Sequence, residues 1–458
     1  MKLYDKKQID WNNLLFDNKA LFLLLLPIVV EQLLNSLMGM VDTMMVSTVG
    51  SEAISAVSLV DSINNLVIQI FSAMASGAAI ICSQYIGSGN EKESNKAARQ
   101  VTLSVLVISL SIMVFCLLGG ERLLRLVFGA VEEPVMDNAI VYFVITVLSY
   151  PFLALFSAGA AFYRASGNAR FPMKVSVTSN ILNITGNAVF IYVFRWGAAG
   201  AALSTLLSRV FCAIVIFYCL RKPRQIIVVK DYLKIRPDIP LIVKIMAIGI
   251  PAGIENGMFQ FGKLAIQSTV STMGTVAIAA QAMTNILESV NGVVGMGVGI
   301  GLMTVAGQCI GAGRIEETKY YIVKLVKAAW VGILCSCLFV WAITKPVTWL
   351  AGMEPQSAVM CFEMVTAITV AKPLFWVCSF VIAYGLRAAG DVRFSMMVSV
   401  ITMWGCRVAL CIFLVRTFHM GPMAVWIGMF ADWGVRSVIF ARRFMSGKWI
   451  HANPLTKT

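Results

Sequence analysis

The sequence predicts an all-α polytopic membrane protein, with twelve transmembrane helices arranged as two six-helix halves. Three observations predict it: a composition too apolar for a water-soluble chain, twelve long apolar stretches, and an internal repeat that divides those stretches six and six. Of 458 residues, 59% are hydrophobic and 13% charged, and mean hydropathy is +0.81. Soluble domains carry about 25% charged and about 45–50% apolar residues. A soluble enzyme, a disordered tail and a secreted disulfide scaffold are thereby excluded.

The apolar stretches run near 20–46, 53–80, 101–120, 138–163, 171–194 and 198–220. They resume near 241–270, 276–307, 328–344, 361–385, 394–415 and 422–441. Each approaches the roughly 20 residues that a helix needs to cross a bilayer. They are long and do not alternate, which argues against barrel strands. Residues 1–220 are expected to form an N-lobe, 221–240 a cytoplasmic connector marked by Arg221-Lys-Pro-Arg224 and Pro237, and 241–458 a C-lobe. The first span is too long for the core of a cleavable signal and is expected to act as its own targeting signal.

The formal charge of +14 would suggest nucleic acid in a soluble chain. Here 28 of the 37 Lys and Arg fall in segments on the N-terminal side of the membrane, including Arg387, Arg436 and the tail, and five on the other. This is the positive-inside pattern, so both termini are expected in the cytoplasm and no nucleic-acid partner is expected. The 11 Cys lie mostly within apolar runs, with no C-x-x-C and only two His, His419 and His451. Buried thiols are expected, without disulfides or zinc sites.

Shifted by 224 residues, Pro27 falls on Pro251, Glu31 on Glu255, Gly50 on Gly274 and Gly77 on Gly301. Gln84-Tyr-Ile-Gly-Ser-Gly89 falls on Gln308-Cys-Ile-Gly-Ala-Gly313. Arg164-Ala-Ser-Gly-Asn168 meets Arg387-Ala-Ala-Gly-Asp391 at an offset of 223. Shared Pro, Glu, Gln and Arg at one spacing are not explained by hydropathy. Six spans per half make the halves parallel, so they are expected to be related by a pseudo-twofold axis along the membrane normal. That arrangement suits alternating access around a central cavity.

Ionisable groups inside the bilayer cost about 2.5–3.5 kcal/mol each on insertion scales and need a reason. Asp42 lies on the first span. Asn183 and Asn187, one helical turn apart on the fifth, share a face, and the sixth offers Thr205. One carboxylate, two amides and a hydroxyl form an all-oxygen set. It suits a hard cation or a relayed proton, or it is a polar network that locks three helices together. Glu255 on the seventh span has Lys263, Glu288, Lys372 and Arg407 as intramembrane company. Interhelical pairing and a second ion or substrate site are both open there. At the Asp42-equivalent position stands Ile266, and Arg407 replaces Asn183, so the second half cannot repeat the oxygen set. Asp61 and Asp432 are expected near span ends, in contact with water. Gly295-Met-Gly-Val-Gly-Ile-Gly301 lies within an apolar span with no preceding strand, so it reads as small-residue helix packing, not a phosphate loop.

The motifs together resemble those of the MATE (multidrug and toxic compound extrusion) family. They are Pro27-x-x-x-Glu31, Val41-Asp-Thr43, Gln84-x-Ile-Gly-x-Gly89, Arg164-x-x-Gly-Asn168, Leu182-Asn-Ile184 with Asn187, and Gly200-Ala-Ala-Leu-x-Thr205. The second half adds Pro251-x-x-x-Glu255, Gly307-Gln308, Ile310-Gly-Ala-Gly313, Leu386-Arg387-Ala-x-Gly390 and Ala431-Asp-Trp433. The resemblance covers about residues 20–445. It implies a V-shaped pair of lobes in the bacterial cytoplasmic membrane, not an enzyme. It implies export of amphipathic organic cations in exchange for Na+ or H+, by a monomer with no other cofactor. It carries the coupling-cation site onto Asp42, Asn183, Asn187 and Thr205, which would hold the Na+ if sodium drives transport, and a C-lobe acidic site onto Glu255. One branch of the family has a Tyr and an Asp on the tenth span where this chain has Lys372 and Trp376. Glu255 is therefore expected to pair with Lys372. Glu31, Phe259, Trp376 and Tyr384 are expected to line the cavity, where aromatic rings offer cation–π contact. A lipid-linked oligosaccharide flippase of the same superfamily, and a polytopic membrane enzyme, are the alternatives.

Overall fold

A computed structural model describes residues 3–129, 132–223, 225–230 and 236–452. Of the charges counted above, Lys2, Arg224, Lys234 and Lys457 lie outside it. Every regular element among the described residues is helical. In chain order they are α1 (Asn18–Ser47), α2 (Ser51–Gly87), α3 (Glu91–Phe128), the bent α4 (Glu133–Leu148 and Tyr150–Ala165), α5 (Arg170–Asn187, continued by Ala188–Val193) and α6 (Gly197–Leu220). Then follow α7 (Ile239–Val270), α8 (Thr275–Gly311), α9 (Ile315–Leu350), α10 (Pro355–Ala388), α11 (Val392–Phe418) and α12 (Met423–Ser446). Ten of these are long and apolar enough to cross a membrane, and the bent α4 makes eleven. α5 is the remaining helical stretch. Its Ser176, Ser179, Asn183 and Asn187 lower its hydropathy but are all buried, so its polar face is turned into the protein.

Several helices are interrupted where the sequence gives a cause. The α4 pieces meet at 43° around Ser149, with Pro151 in the first turn of the second; a proline there removes a backbone donor. In α10 the neighbourhood of Pro373 is absorbed by a wide π-turn over Lys372–Trp376. Another π-turn spans Met403–Ala409 in α11. Such turns re-aim side chains and are frequent at functional sites.

The chain forms two compact units that cut across two helices. One, here the C-terminal unit, comprises Met1–Gln32 and Ile254–Thr458; the other, the N-terminal unit, comprises Leu33–Gly253. The division falls within α1 and α7, a few residues beyond Pro27 and Pro251, and not in the 221–240 segment. The connector's described residues tie back to α3. Val228 N–H donates to Asn95 Oδ1 at 2.7 Å, and Lys96 pairs with Asp238 at 2.5 Å. Lys96, together with the Leu241 amide, holds the Asp238 carboxyl below the usual carboxylate range. The tie is therefore present at neutral pH and is lost only as the medium turns acid.

The glycine-rich stretch of α8 packs two neighbours of its own unit. Gly295 and Gly299, one turn apart, receive Trp376 and Tyr384 of α10, while Gly297 and Gly301 receive Val29 and Leu25 of α1. A Cβ at Gly297 would stand 2.9 Å from the Val29 Cα, against backbone that cannot swing aside. Gly297→Ala is therefore expected to destabilise the C-terminal unit by about 1–3 kcal/mol, the usual cost of overpacking. Thermal unfolding in detergent measures it; an unchanged midpoint would contradict the packing described. Around this seam lies a core of Val298, Leu302, Ile333, Val381, Trp433 and Phe440. A second core includes Ile266, Leu287, Ile368 and Trp426. All eleven cysteines are free and most are buried.

Candidate functional site

In the N-terminal unit the predicted oxygen set does assemble. Asn187 Nδ2 donates to Asp42 Oδ1 at 2.8 Å and lies 3.3 Å from Asn183 Oδ1. Asn183 Nδ2 reaches Thr205 Oγ1 at 3.3 Å. The Asn183 carbonyl accepts from Ser204 Oγ at 2.7 Å, which fixes α5 against α6. Asn183 and Asn187 are buried, whereas Asp42 and Thr205 are half-buried and remain accessible. One atom stands out: Asn187 Oδ1 is buried with no hydrogen-bond partner among the described residues. A buried acceptor without a donor is costly unless something supplies positive charge. Beside the Asp42 carboxylate, it fits the oxygen coordination of a hard cation.

This cluster extends further than the sequence suggested. Asp61, expected near a span end, is half-buried on α2, where it accepts from Asn64 Nδ2 at 3.1 Å and Tyr142 Oη at 3.3 Å. Tyr150 Oη donates to Asn64 Oδ1 at 2.8 Å. Arg209 of α6 donates to Ser149 Oγ at 2.7 Å, at the break in α4, and interacts electrostatically with both Asp42 and Asp61. A lone Arg in an apolar span was the overlooked signal, since it demands a partner as much as a carboxylate does.

In the C-terminal unit the charges assemble differently from expectation. Glu255 does not pair with Lys372. Its Oε1 accepts from Arg387 Nη2 at 2.5 Å, and Arg387 Nε also donates to Ser395 Oγ at 3.0 Å. Arg387 thus closes a link from α7 to α10, although the sequence placed it among the loop charges. Lys372, fully buried, pairs instead with Glu288 Oε1 at 2.6 Å. It also donates to the Glu288 carbonyl and to Asn291 Oδ1, both on α8. The π-turn at Lys372–Trp376 sets which helix Lys372 addresses, and its phase is not encoded in spacing. Asp432 is not at a solvated span end: it is fully buried, with Arg407 at 2.7 Å and Arg436 at 2.9 Å. Arg436, read as a tail charge, is an interior residue of α12. Gly428 permits this pairing, because a Cβ there would lie 2.7 Å from the Arg407 carbonyl oxygen.

The expected cavity aromatics divide. Trp376 is 4% exposed, lies against Gly295 and stacks on Phe380, so it is core and not wall. Tyr384 packs on Gly299 and is half-buried. Phe259 is half-buried and has the Lys263 ammonium 5.7 Å from its ring centre. Glu31 is buried in its helix. Among the described residues no three His, Cys, Asp or Glu group to hold a metal.

The corrected pairing predicts a double-mutant result. Lys372→Met leaves Glu288 facing a buried site without its partner, at about 3–5 kcal/mol. Adding Glu288→Gln is expected to recover much of that loss, whereas adding Glu255→Gln is expected to recover none. Recovery with Glu255→Gln instead would restore the pairing read from sequence.

Comparison with known proteins agrees with this architecture. The MatE family model matches residues 27–189 and again 251–413, two stretches displaced by the 224 residues of the internal repeat. The chain is 28% identical over 438 residues to the uncharacterized transporter YisQ of Bacillus subtilis (strain 168), covering 94% of this chain and 95% of that protein. It is 26% identical over 451 residues to the probable multidrug resistance protein NorM of Thermotoga maritima, covering 96% and 94%. A solved outward-facing multidrug resistance MATE transporter of the MOP superfamily superposes with a TM-score of 0.87 at 19% identity, covering 93% and 96%. That likeness is one of fold: an all-helical membrane architecture. With both halves matched by the same family model, the chain belongs to the MatE family, the multidrug and toxic compound extrusion transporters.

Proposed function

We propose that this protein is a secondary antiporter of the bacterial cytoplasmic membrane, with both termini cytoplasmic. It exports amphipathic organic cations by alternating access in exchange for Na+ or H+. The observation that carries the reading is the Asp42 cluster: an accessible carboxylate inside a span, joined to Asn187, Asn183 and Thr205, with the Asn187 Oδ1 lacking a donor. A cation entering there gains a carboxylate and an orphan amide oxygen. A proton is taken by Asp42 itself. Either event removes a negative charge from the interior of the N-terminal unit, and a state change follows if the two conformations differ in affinity for the ion. The names of relatives such as the probable multidrug resistance protein NorM support drug export. A flippase is not favoured by these relatives.

Expression in a drug-sensitive bacterium tests the reading. Protection against ethidium and tetraphenylphosphonium is the expected result. Protection against neither, with the protein present in the membrane, would oppose it.

A further inference from the structure

In the C-terminal unit the cluster around Glu288 and Asp432 holds more positive charge than those two acids neutralise. Four cations enter it: Lys263 from α7, Lys372 from α10, Arg407 from α11 and Arg436 from α12. Lys372 is matched by Glu288. Among the described residues Asp432 alone bonds both guanidiniums: its Oδ2 accepts from Arg407 at 2.7 Å and from Arg436 at 3.2 Å, and its Oδ1 accepts from Arg436 at 2.9 Å. Among the described residues Lys263 forms no ion pair; its electrostatic neighbours are Glu288, already engaged, and Arg407, of like sign. Four cations against these two acids leave two positive charges in excess in this cluster.

These groups converge on one ring. The Phe259 centroid lies 5.7 Å from the Lys263 ammonium, 4.8 Å from the Arg407 guanidinium carbon and 6.0 Å from that of Arg436. Lys263 is exposed, while Arg407 and Arg436 are each 2% exposed behind it. Donors are also left over. Nε of Arg407 and Nε of Arg436 are buried without acceptors, and so is Trp404 Nε1, on the same π-turn as Arg407. Uncompensated cations and unused N–H groups in a membrane span are expensive. An anion supplies both missing terms at once, and the planar fork of a guanidinium suits a carboxylate.

We propose that Lys263, Arg407 and Arg436 around Phe259 form a binding site for the carboxylate of an amphipathic organic acid or zwitterion, with Lys263 as its accessible charge. This rests on the export reading and widens its substrates beyond plain cations. Asp432 positions the two guanidiniums, and Phe259 supplies the apolar contact beside them.

Two dyes with the same xanthene frame test it: fluorescein, which carries a carboxylate and is anionic, and rhodamine 6G, which is cationic. Each is titrated by fluorescence anisotropy against the purified full-length protein in non-ionic detergent. Lys263 is exposed and has no ion-pair partner among the described residues, so Lys263→Gln is expected to fold with an unchanged thermal midpoint. Fluorescein affinity is expected to fall about tenfold in Lys263→Gln and to be kept in Lys263→Arg, with rhodamine 6G not weakened by either change. A wild-type protein that ignores fluorescein, equal fluorescein affinity in Lys263→Gln, or equal loss of both dyes would overturn the site. Binding is read without any gradient. A protein that shows the expected dye pattern yet carries no substrate across liposomes would refute export and leave the site standing.

Discussion

Asp432→Asn is expected to be the most damaging single charge change in the molecule, at about 3–5 kcal/mol of stability. The carboxylate is fully buried and serves two guanidiniums that are themselves almost fully buried. Removing it leaves two cations in a low-dielectric interior with a neutral amide in place of their shared counter-charge. The Asn side chain retains one acceptor oxygen but no charge, and unpaired buried charge is what makes such changes severe. An exposed pair provides the contrast. Arg125 and Glu121 sit one turn apart at the end of α3, with side chains 41% and 53% exposed. Glu121→Gln is expected to alter stability by less than about 1 kcal/mol, as exposed pairs do. Thermal unfolding of both variants in the same detergent decides the matter. Equal effects would mean that burial does not set the energetics of the C-terminal unit.

Asp42→Asn is expected to abolish active efflux while leaving the fold intact. The amide preserves the size of the side chain, and its oxygen can still accept from Asn187 Nδ2, which now stands 2.8 Å from the carboxylate. It removes a partly desolvated charge, so stability is not expected to fall. What it cannot do is take up a proton or offer charge to a cation. Ethidium efflux from loaded, energised cells is expected to drop to the level of cells without the protein, at normal expression and thermal midpoint. Efflux at the wild-type rate would remove Asp42 from the coupling step.

The helices were legible because a bilayer allows few alternatives: a long apolar run must satisfy its backbone internally. The repeat was legible because Pro27 and Pro251, Glu31 and Glu255, and the Gln84 and Gln308 motifs share one spacing. The Asp42 cluster was legible for a local reason. Asn183 and Asn187 are one turn apart, so any helix places them on one face, and Asp42 and Thr205 complete a set of one chemical kind. The C-terminal charges were not legible, because pairing there depends on helix phase. π-turns at Lys372–Trp376 and Met403–Ala409 rotate the two cations they contain by an amount that spacing does not give. Arg436 is hard to place for a related reason: a basic residue late in an apolar helix, with Arg442 and Arg443 following, resembles the start of a basic tail. Asp432, four residues earlier, was the cue, since an i,i+4 acid–base pair on one helix face is self-satisfying. Asp61 and Arg209 were missed as a pair because they lie on α2 and α6, and nothing in the sequence joins those helices.

Flux of an organic molecule through this chain is expected to be driven by a cation gradient. It is tested most directly with purified protein in liposomes, with sodium and proton gradients imposed separately and a fluorescent organic cation followed across the membrane. One of the two gradients is expected to drive transport by the wild-type protein and to drive none by Asp42→Asn. If folded wild-type protein moves no dye under either gradient, or moves it equally with no gradient at all, the antiporter account is contradicted.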